Sequence, residues 1–260
     1  MVRMVPLALL LSLLLQADGG RVRRMTGGTE APEHKYPYLV SFRQSEDPNQ
    51  TDEYYHFCSG SILNKHWILT SASCFAKRNP KVTWAVVGTN NFFKGGDKYT
   101  IDRVIFHENY DKRYRDNIAV VRVAEEIQFN DNVQPVTLYT NEFTRYGETG
   151  TVAGWSVKDN LMLSDKLHEI NLPIISNEEC KKDRRGYITE MHICTYFNST
   201  VGLCFEDIGG PLIFEGAQLG IASYAIPCSL DWPDVYTRVS GYLQWILDNA
   251  ESAKTTLNFI

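Results

Sequence analysis

The chain has 260 residues, of which 43% are hydrophobic and 22% are charged. This composition is ordinary for a globular protein with a buried core, and the length fits one large β domain or two fused barrels. The formal net charge is −5, and no basic run that could track a phosphate backbone follows Arg24. A surface without such a run does not favour binding to a phosphate backbone, so we expect no nucleic-acid partner.

The amino terminus predicts a secreted protein. Residues 1–19 are typical of a signal peptide, with Arg3 before an apolar run at 7–15 and the small residues Ala17 and Gly19 near the end. The run is too short to span a bilayer as a mature helix, and no later stretch is long and apolar enough to do so. We therefore expect an extracellular protein with no membrane partner, whose six cysteines are paired.

Beyond the basic segment 20–24, the sequence predicts a β-rich fold. Short runs rich in β-branched and aromatic residues are separated by turn residues, which is typical of a sandwich or barrel. The runs are 38–42, 61–63, 67–71, 82–87, 99–106, 118–123, 149–153, 167–174, 212–214, 218–223 and 234–239. One helix is predicted at about 240–250, where Ser240 could cap apolar residues at helical spacing.

Two Asn-x-Ser/Thr sequons, at Asn49 and Asn198, predict glycosylation sites in a secreted chain. No His/Cys pair has the spacing of metal ligands, and no glycine loop suited to a phosphate is present. We accordingly expect neither a metal nor a cofactor.

Residues 204–212 read Cys-Phe-Glu-Asp-Ile-Gly-Gly-Pro-Leu, which resembles the nucleophile loop Gly-Asp-Ser-Gly-Gly-Pro of chymotrypsin-like serine proteases. Ordered matches at 57–61, 67–74, 153–155 and 233–239 extend the resemblance over most of the chain. The resemblance implies an all-β fold of two antiparallel Greek-key β-barrels with a C-terminal α-helix. The implied domain is 25–260, with barrels at about 25–135 and 136–239 and the helix at about 240–250.

Six cysteines can form fifteen different sets of three disulfides, and the same resemblance selects one of these sets. The implied disulfides are Cys58–Cys74, Cys180–Cys194 and Cys204–Cys228. This set of three disulfides with no free thiol is similar to the cysteine pattern of many arthropod members of the family.

The resemblance also implies an activation site between Arg24 and Met25. In the family, cleavage there frees an amino terminus that folds inward and pairs with the aspartate of the nucleophile loop, here Asp207. Met25-Thr26 departs from the usual Ile-Val, although both following glycines are present. The alternative is a solvated basic segment that is never cut.

The catalytic positions depart from the family pattern. Ser73 stands where the motif has histidine, Asn117 where it has aspartate, and Ile208 where it has the nucleophilic serine. Glu206 replaces the glycine that contributes a donor to the oxyanion hole. Neighbouring Asp116 is expected to point to the opposite face, because side chains alternate along an extended chain.

By the same pattern, Gly202 and Asp234 form the floor of the specificity pocket, which would be acidic. Ser223, Tyr224 and Ala225 form a wall, with Tyr224 in place of a common tryptophan and Ala225 in place of a glycine. Two interpretations stay open: a usable groove and a closed or collapsed cleft.

The resulting hypothesis is a secreted, catalytically inactive protease homologue that acts by binding. Its partner would be an extracellular protein: a protease, an inhibitor or another component of a proteolytic cascade. The alternative is an active secreted endopeptidase that uses non-standard residues, with Ser73 as the substitute nucleophile. A third possibility is a glycan or lipid binder that uses the cleft in which the proteases of the family bind their substrate.

Overall fold

A computed structural model describes most of the chain. The described residues are 28–45, 54–111, 113–155, 164–183, 188–197, 202–224, 232–250 and 257–260. The predicted signal peptide, Arg24, Met25, both sequon asparagines, Ala225 and Cys228 lie outside them.

The first half of the described chain forms a closed six-stranded antiparallel barrel. A two-residue strand, β1 (Thr29–Glu30), precedes it. The barrel strands are β2 (Leu39–Gln44), β3 (Tyr55–Ile62), β4 (Trp67–Thr70), β5 (Thr83–Val87), β6 (Asp97–Phe106) and β7 (Ala119–Val123). Their order around the barrel is β2-β3-β4-β7-β6-β5. Inward-facing apolar side chains fill a barrel of this size, and Val40, Phe42, Ile68 and Val121 lie in its core.

The second half forms another antiparallel barrel within a nine-stranded sheet. Its strands are β8 (Thr137–Leu138), β9 (Thr149–Gly154), β10 (His168–Ile175), β11 (His192–Thr195), β12 (Pro211–Phe214), β13 (Ala217–Tyr224) and β14 (Asp234–Arg238). Six of these follow the order β12-β9-β10-β11-β14-β13, and pairing of β12 with β13 closes the ring. β1 joins β10 at its side, and β8 adds to β13 in parallel.

Two α-helices accompany the barrels. The helix α1 (Asn177–Asp183) follows β10, and α2 (Leu243–Ala250) follows a 3-10 turn at Val239–Tyr242. Ile246 and Ala250 of α2 are buried against the outside of the first barrel, together with Leu69 and Val120. The predicted all-β fold of two barrels with a C-terminal helix is thereby confirmed. A strand that the sequence did not predict, β15 (Asn258–Phe259), pairs in parallel with β8.

In the described residues no helix is both long and apolar enough to cross a membrane. Two disulfides join Cys58 to Cys74 and Cys180 to Cys194, the pairs that the resemblance implies. Cys204 is also disulfide-bonded, and its predicted partner, Cys228, is outside the described residues.

Candidate active-site cleft

The fold brings Ser73, Asn117 and Ile208 to one region where loops of the two barrels meet. Ser73 lies in a 3-10 turn (Ala72–Cys74) directly after β4, and Asn117 lies two residues before β7. Ile208 follows a second 3-10 turn, Phe205–Asp207, on the way to β12. The Ser73 amide donates to Asn117 Oδ1 at 2.8 Å, and the carbonyl of Ile208 is 3.6 Å from the sulfur of Cys74.

A hydrogen-bond network fixes the side-chain amide of Asn117, which is 1% exposed. Its Nδ2 donates to the Ser223 carbonyl at 3.0 Å, while its Oδ1 accepts from the Ser73 amide. A carbonyl can only accept and a backbone N–H can only donate, so these two contacts settle which way the amide points. Nδ2 also lies 3.1 Å from Ser73 Oγ and 2.9 Å from Ser223 Oγ. This position is therefore fitted to a neutral donor group.

The hydroxyl of Ser73 has only weak bases beside it. Its neighbours are Asn117 Nδ2 and Ser71 Oγ, the latter at 3.3 Å. All six histidines belong to the described residues, and their hydrogen bonds and ion pairs run to groups other than Ser73. An amide and a hydroxyl do not take up a proton near neutral pH, so neither of these neighbours among the described residues is a general base for Ser73.

Ile208 is held by its backbone and by apolar packing. Its carbonyl accepts from the Ser59 amide at 2.8 Å, and its side chain packs against the core of the first barrel. The next residue, Gly209, has φ +85°, and a Cβ there would collide with the Ser59 carbonyl and the Thr70 hydroxyl. This close approach explains why the loop needs glycine at this point.

A buried relay of hydrogen bonds reaches the carbonyl of Glu206. Arg43 Nε donates to Ser41 Oγ at 2.9 Å, and Ser41 Oγ lies 2.8 Å from His56 Nδ1. His56 Nε2 lies 2.9 Å from the Glu206 carbonyl oxygen, which can only accept. His56 Nε2 therefore carries the proton, its Nδ1 accepts, and the Ser41 hydroxyl donates to it.

The pKa of His56 is lowered from 6.5 to about 4, mainly by burial. The hydrogen bond to the Glu206 carbonyl opposes this shift, and the nearby charge of Arg43 adds to it. His56 is thus neutral at physiological pH and serves as a fixed link between the first barrel and the nucleophile-like loop. One carboxylate oxygen of Glu206, Oε2, is buried without a hydrogen-bond partner among the described residues.

Asp207 is 1% exposed, and its Oδ2 accepts from the Cys204 amide at 3.0 Å. Gly154 lies against this carboxylate so closely that any side chain there would collide with it. The predicted contact with a new amino terminus at Met25 concerns residues outside the described part of the chain, so it stays a prediction.

The two residues predicted for the pocket floor lie side by side, while the specificity pocket itself stays a prediction. A Cβ on Gly202 would lie 2.9 Å from Oδ2 of Asp234, which is 4% exposed and accepts from the Leu203 amide at 2.9 Å. On the wall, Ser223 is directed at Asn117, as described above. Tyr224 is covered by the ring of Tyr114, whose centroid lies 5.1 Å away in a stacked arrangement at 29°.

The Tyr114 ring was not predicted as part of the site. Its backbone has φ +61°, which is unusual for a residue other than glycine. Asp116 accepts from the Tyr242 hydroxyl at 2.6 Å. The expectation of an extended chain at this residue is wrong, because its φ of +47° belongs to a turn. The run Asp-Lys-Arg-Tyr-Arg at 111–115 contains the only signal, an aromatic residue among charged ones.

Next to Ser73 lies a cleft of about 550 Å3. It is lined by Ser73, Cys74, Ala76, Lys77, Arg78, Tyr110 and Tyr114. Tyr224 is not among the lining residues, since Tyr114 stands between. Within the described residues, no group of three or more His, Cys, Asp or Glu side chains gathers as metal ligands would.

Two antiparallel six-stranded barrels, whose loops meet around Asn117 and Ile208, define a chymotrypsin-like protein. A profile of the trypsin family matches residues 25–246, and the chain belongs to this family. It is 34% identical to Chymotrypsin-2 of Vespa crabro over 227 residues, 86% of this chain and 99% of that protein. It is 31% identical to Trypsin of Squalus acanthias over 236 residues, 88% of this chain and 97% of that one. Trypsin II-P29 of Gallus gallus is 30% identical over 231 residues, 86% of this chain and 88% of that protein.

Proposed function

We propose that this chain is a secreted trypsin-family protein that binds an extracellular protein and does not cleave it. The proposal assigns Ser73, Asn117 and Ile208 to the three catalytic positions of the family, by the motifs in which they stand. In serine proteases, a histidine takes the proton of the attacking serine, and an aspartate orients and stabilises that histidine. None of the three residues found here can perform the step assigned to its position.

The observation that carries the proposal is the hydrogen-bond network of Asn117. A catalytic aspartate accepts hydrogen bonds, whereas Asn117 donates one to the Ser223 carbonyl at 3.0 Å. Its surroundings thus favour a neutral amide over the carboxylate that an imidazolium needs. The Asn117 amide thus acts as a donor in this site, a role that an ionised carboxylate cannot take.

The expected loss of activity is large. In a serine protease with the same triad chemistry, removal of the triad lowers turnover by about a millionfold. Loss of one oxyanion donor lowers it by a further 100-fold or more, and the carboxylate of Glu206 near a developing oxyanion would repel it. These effects are not additive, but each of them alone leaves little catalysis.

The rival function is peptide-bond hydrolysis, which the names of the three relatives favour. It would require Ser73 as the nucleophile, since Ile208 offers no hydroxyl. Secretion, cleavage after Arg24 and glycosylation at Asn49 and Asn198 belong to the proposal as well. They rest on the sequence of the amino terminus, on the two sequons and on the family. The partner would be a protease, an inhibitor or another cascade component.

The experiment is active-site labelling of the secreted chain with a fluorophosphonate, before and after cleavage at Arg24. The matched control is Ser73→Ala, and an active trypsin-family enzyme serves as the positive control. The proposal predicts equal background labelling of the wild type and the variant. Labelling that requires the Ser73 hydroxyl, together with cleavage in a peptide panel, would establish the rival function.

A further inference from the structure

The cleft beside Ser73 is positively charged. Two of its seven lining residues, Lys77 and Arg78, are cationic, and none of the seven carries a carboxylate. This differs from the chain as a whole, whose formal net charge is −5. A positive cleft on a negative protein attracts anionic groups selectively, because the charges elsewhere on the surface repel them.

The two cations are held differently. The Arg78 guanidinium lies 3.9 Å from the ring centroid of Phe57, and its Nη1 donates to Gln44 Oε1 at 2.9 Å. These contacts fix the guanidinium at the cleft, so less side-chain freedom is lost when an anion binds. Lys77 is exposed and makes no ion pair or hydrogen bond within the described residues. Its ammonium group is therefore available to a ligand.

Two aromatic side chains also line the cleft. Tyr110 and Tyr114 face the cleft, and stacking on Tyr224 holds the Tyr114 ring in place. Tyrosine walls offer apolar area together with hydroxyl groups, which suits a peptide better than a bare inorganic anion. The volume of about 550 Å3 is within the range of sites that hold a ligand of several side chains.

We infer that this cleft binds an acidic segment of the partner protein, with Asp or Glu carboxylates at Lys77 and Arg78 and an apolar side chain against Tyr110 and Tyr114. The inference rests on the proposed function, which it deepens by giving the chemistry of the partner. In this arrangement the carboxylates of the segment pair with Lys77 and Arg78, and the bound segment is not cleaved.

The test is a selection of random displayed octapeptides on the immobilised full-length chain, with Lys77→Glu in parallel. The matched control is Lys81→Glu, the same charge change on an exposed lysine that does not line the cleft. The wild type and Lys81→Glu should each enrich Asp and Glu at least threefold, and Lys77→Glu should abolish this enrichment.

Fluorescence anisotropy with a selected peptide adds a second readout. Replacing its Glu and Asp by Gln and Asn should weaken binding at least tenfold, and so should raising the salt from 50 to 500 mM, because exposed ion pairs are screened. Absence of acidic enrichment, or equal effects of Lys77→Glu and Lys81→Glu, would overturn the inference and leave the proposed function standing. Cleavage of the bound peptides by the wild type would instead overturn the proposed function.

Discussion

Asn117→Asp tests whether the site around Asn117, the proposed position of the catalytic aspartate, requires an amide. The two side chains have nearly the same shape, so the substitution changes the chemistry and leaves the packing intact. Of the three acceptors around Nδ2, the hydroxyls of Ser73 and Ser223 can rotate and donate to a carboxylate. The Ser223 carbonyl, at 3.0 Å, cannot, and it would face an anionic oxygen.

The expected cost follows from that one contact. A buried carbonyl that loses its donor costs about 1–3 kcal/mol, and the buried charge adds to this, so we expect the free energy of unfolding to fall by about 2–4 kcal/mol at pH 7. A protonated carboxyl can donate to the Ser223 carbonyl and restore the contact. The pKa of the introduced carboxyl in the folded protein is thereby raised above its value in the unfolded chain. The loss in free energy of unfolding is therefore complete above the folded pKa and disappears as the pH falls towards about 4.

Urea unfolding of the wild type and Asn117→Asp at pH 7, 5.5 and 4 measures this penalty. Asn132→Asp, on an exposed loop, is the matched control for adding one negative charge. It should change stability by less than about 0.5 kcal/mol. An Asn117→Asp variant as stable as the wild type at pH 7, or a penalty that does not change with pH, would refute the argument that this site requires a donor.

Two further substitutions test the relay and the loop. The depressed pKa of His56, about 4 against 6.5, predicts that the free energy of unfolding falls by roughly 3 kcal/mol between pH 6.5 and pH 4, because the unfolded state takes up the proton first. Denaturant titrations across this range should show that slope in the wild type and lose it in His56→Gln. An unchanged slope would contradict a buried neutral His56. Gly209→Ala should cost about 3–5 kcal/mol through strain and collision. Gly216→Ala, with φ +82° but open space around it, should cost only about 1 kcal/mol, and equal melting temperatures of the two would contradict the close approach.

The two barrels and the disulfides Cys58–Cys74 and Cys180–Cys194 could be predicted because local motifs carry the resemblance to the family, and the resemblance implies both. The relay to Glu206 could not be predicted, since it depends on the register that places Arg43 opposite His56 across β2 and β3. One signal was the alternation of the polar residues Ser41 and Arg43 with the apolar residues Val40 and Phe42 in β2.

The covering of Tyr224 by Tyr114 also escaped prediction. It depends on a left-handed backbone at Tyr114, which residue propensity opposes, and on contact between residues 110 positions apart in the sequence. β15 was missed for a related reason. A two-residue strand gains its pairing from the edge of β8 and carries no periodic pattern of its own.

The central claim is that the residues around Ser73 cannot transfer a proton or attack a carbonyl. The most direct measurement is hydrolysis of a proteome-derived peptide mixture, followed by mass spectrometry, with wild type cleaved after Arg24. A variant that carries Ser73→His, Asn117→Asp, Ile208→Ser and Glu206→Gly is the companion sample. The account predicts no cleavage by the wild type above buffer and measurable cleavage by the fourfold variant. Cleavage by the wild type that Ser73→Ala abolishes would contradict it.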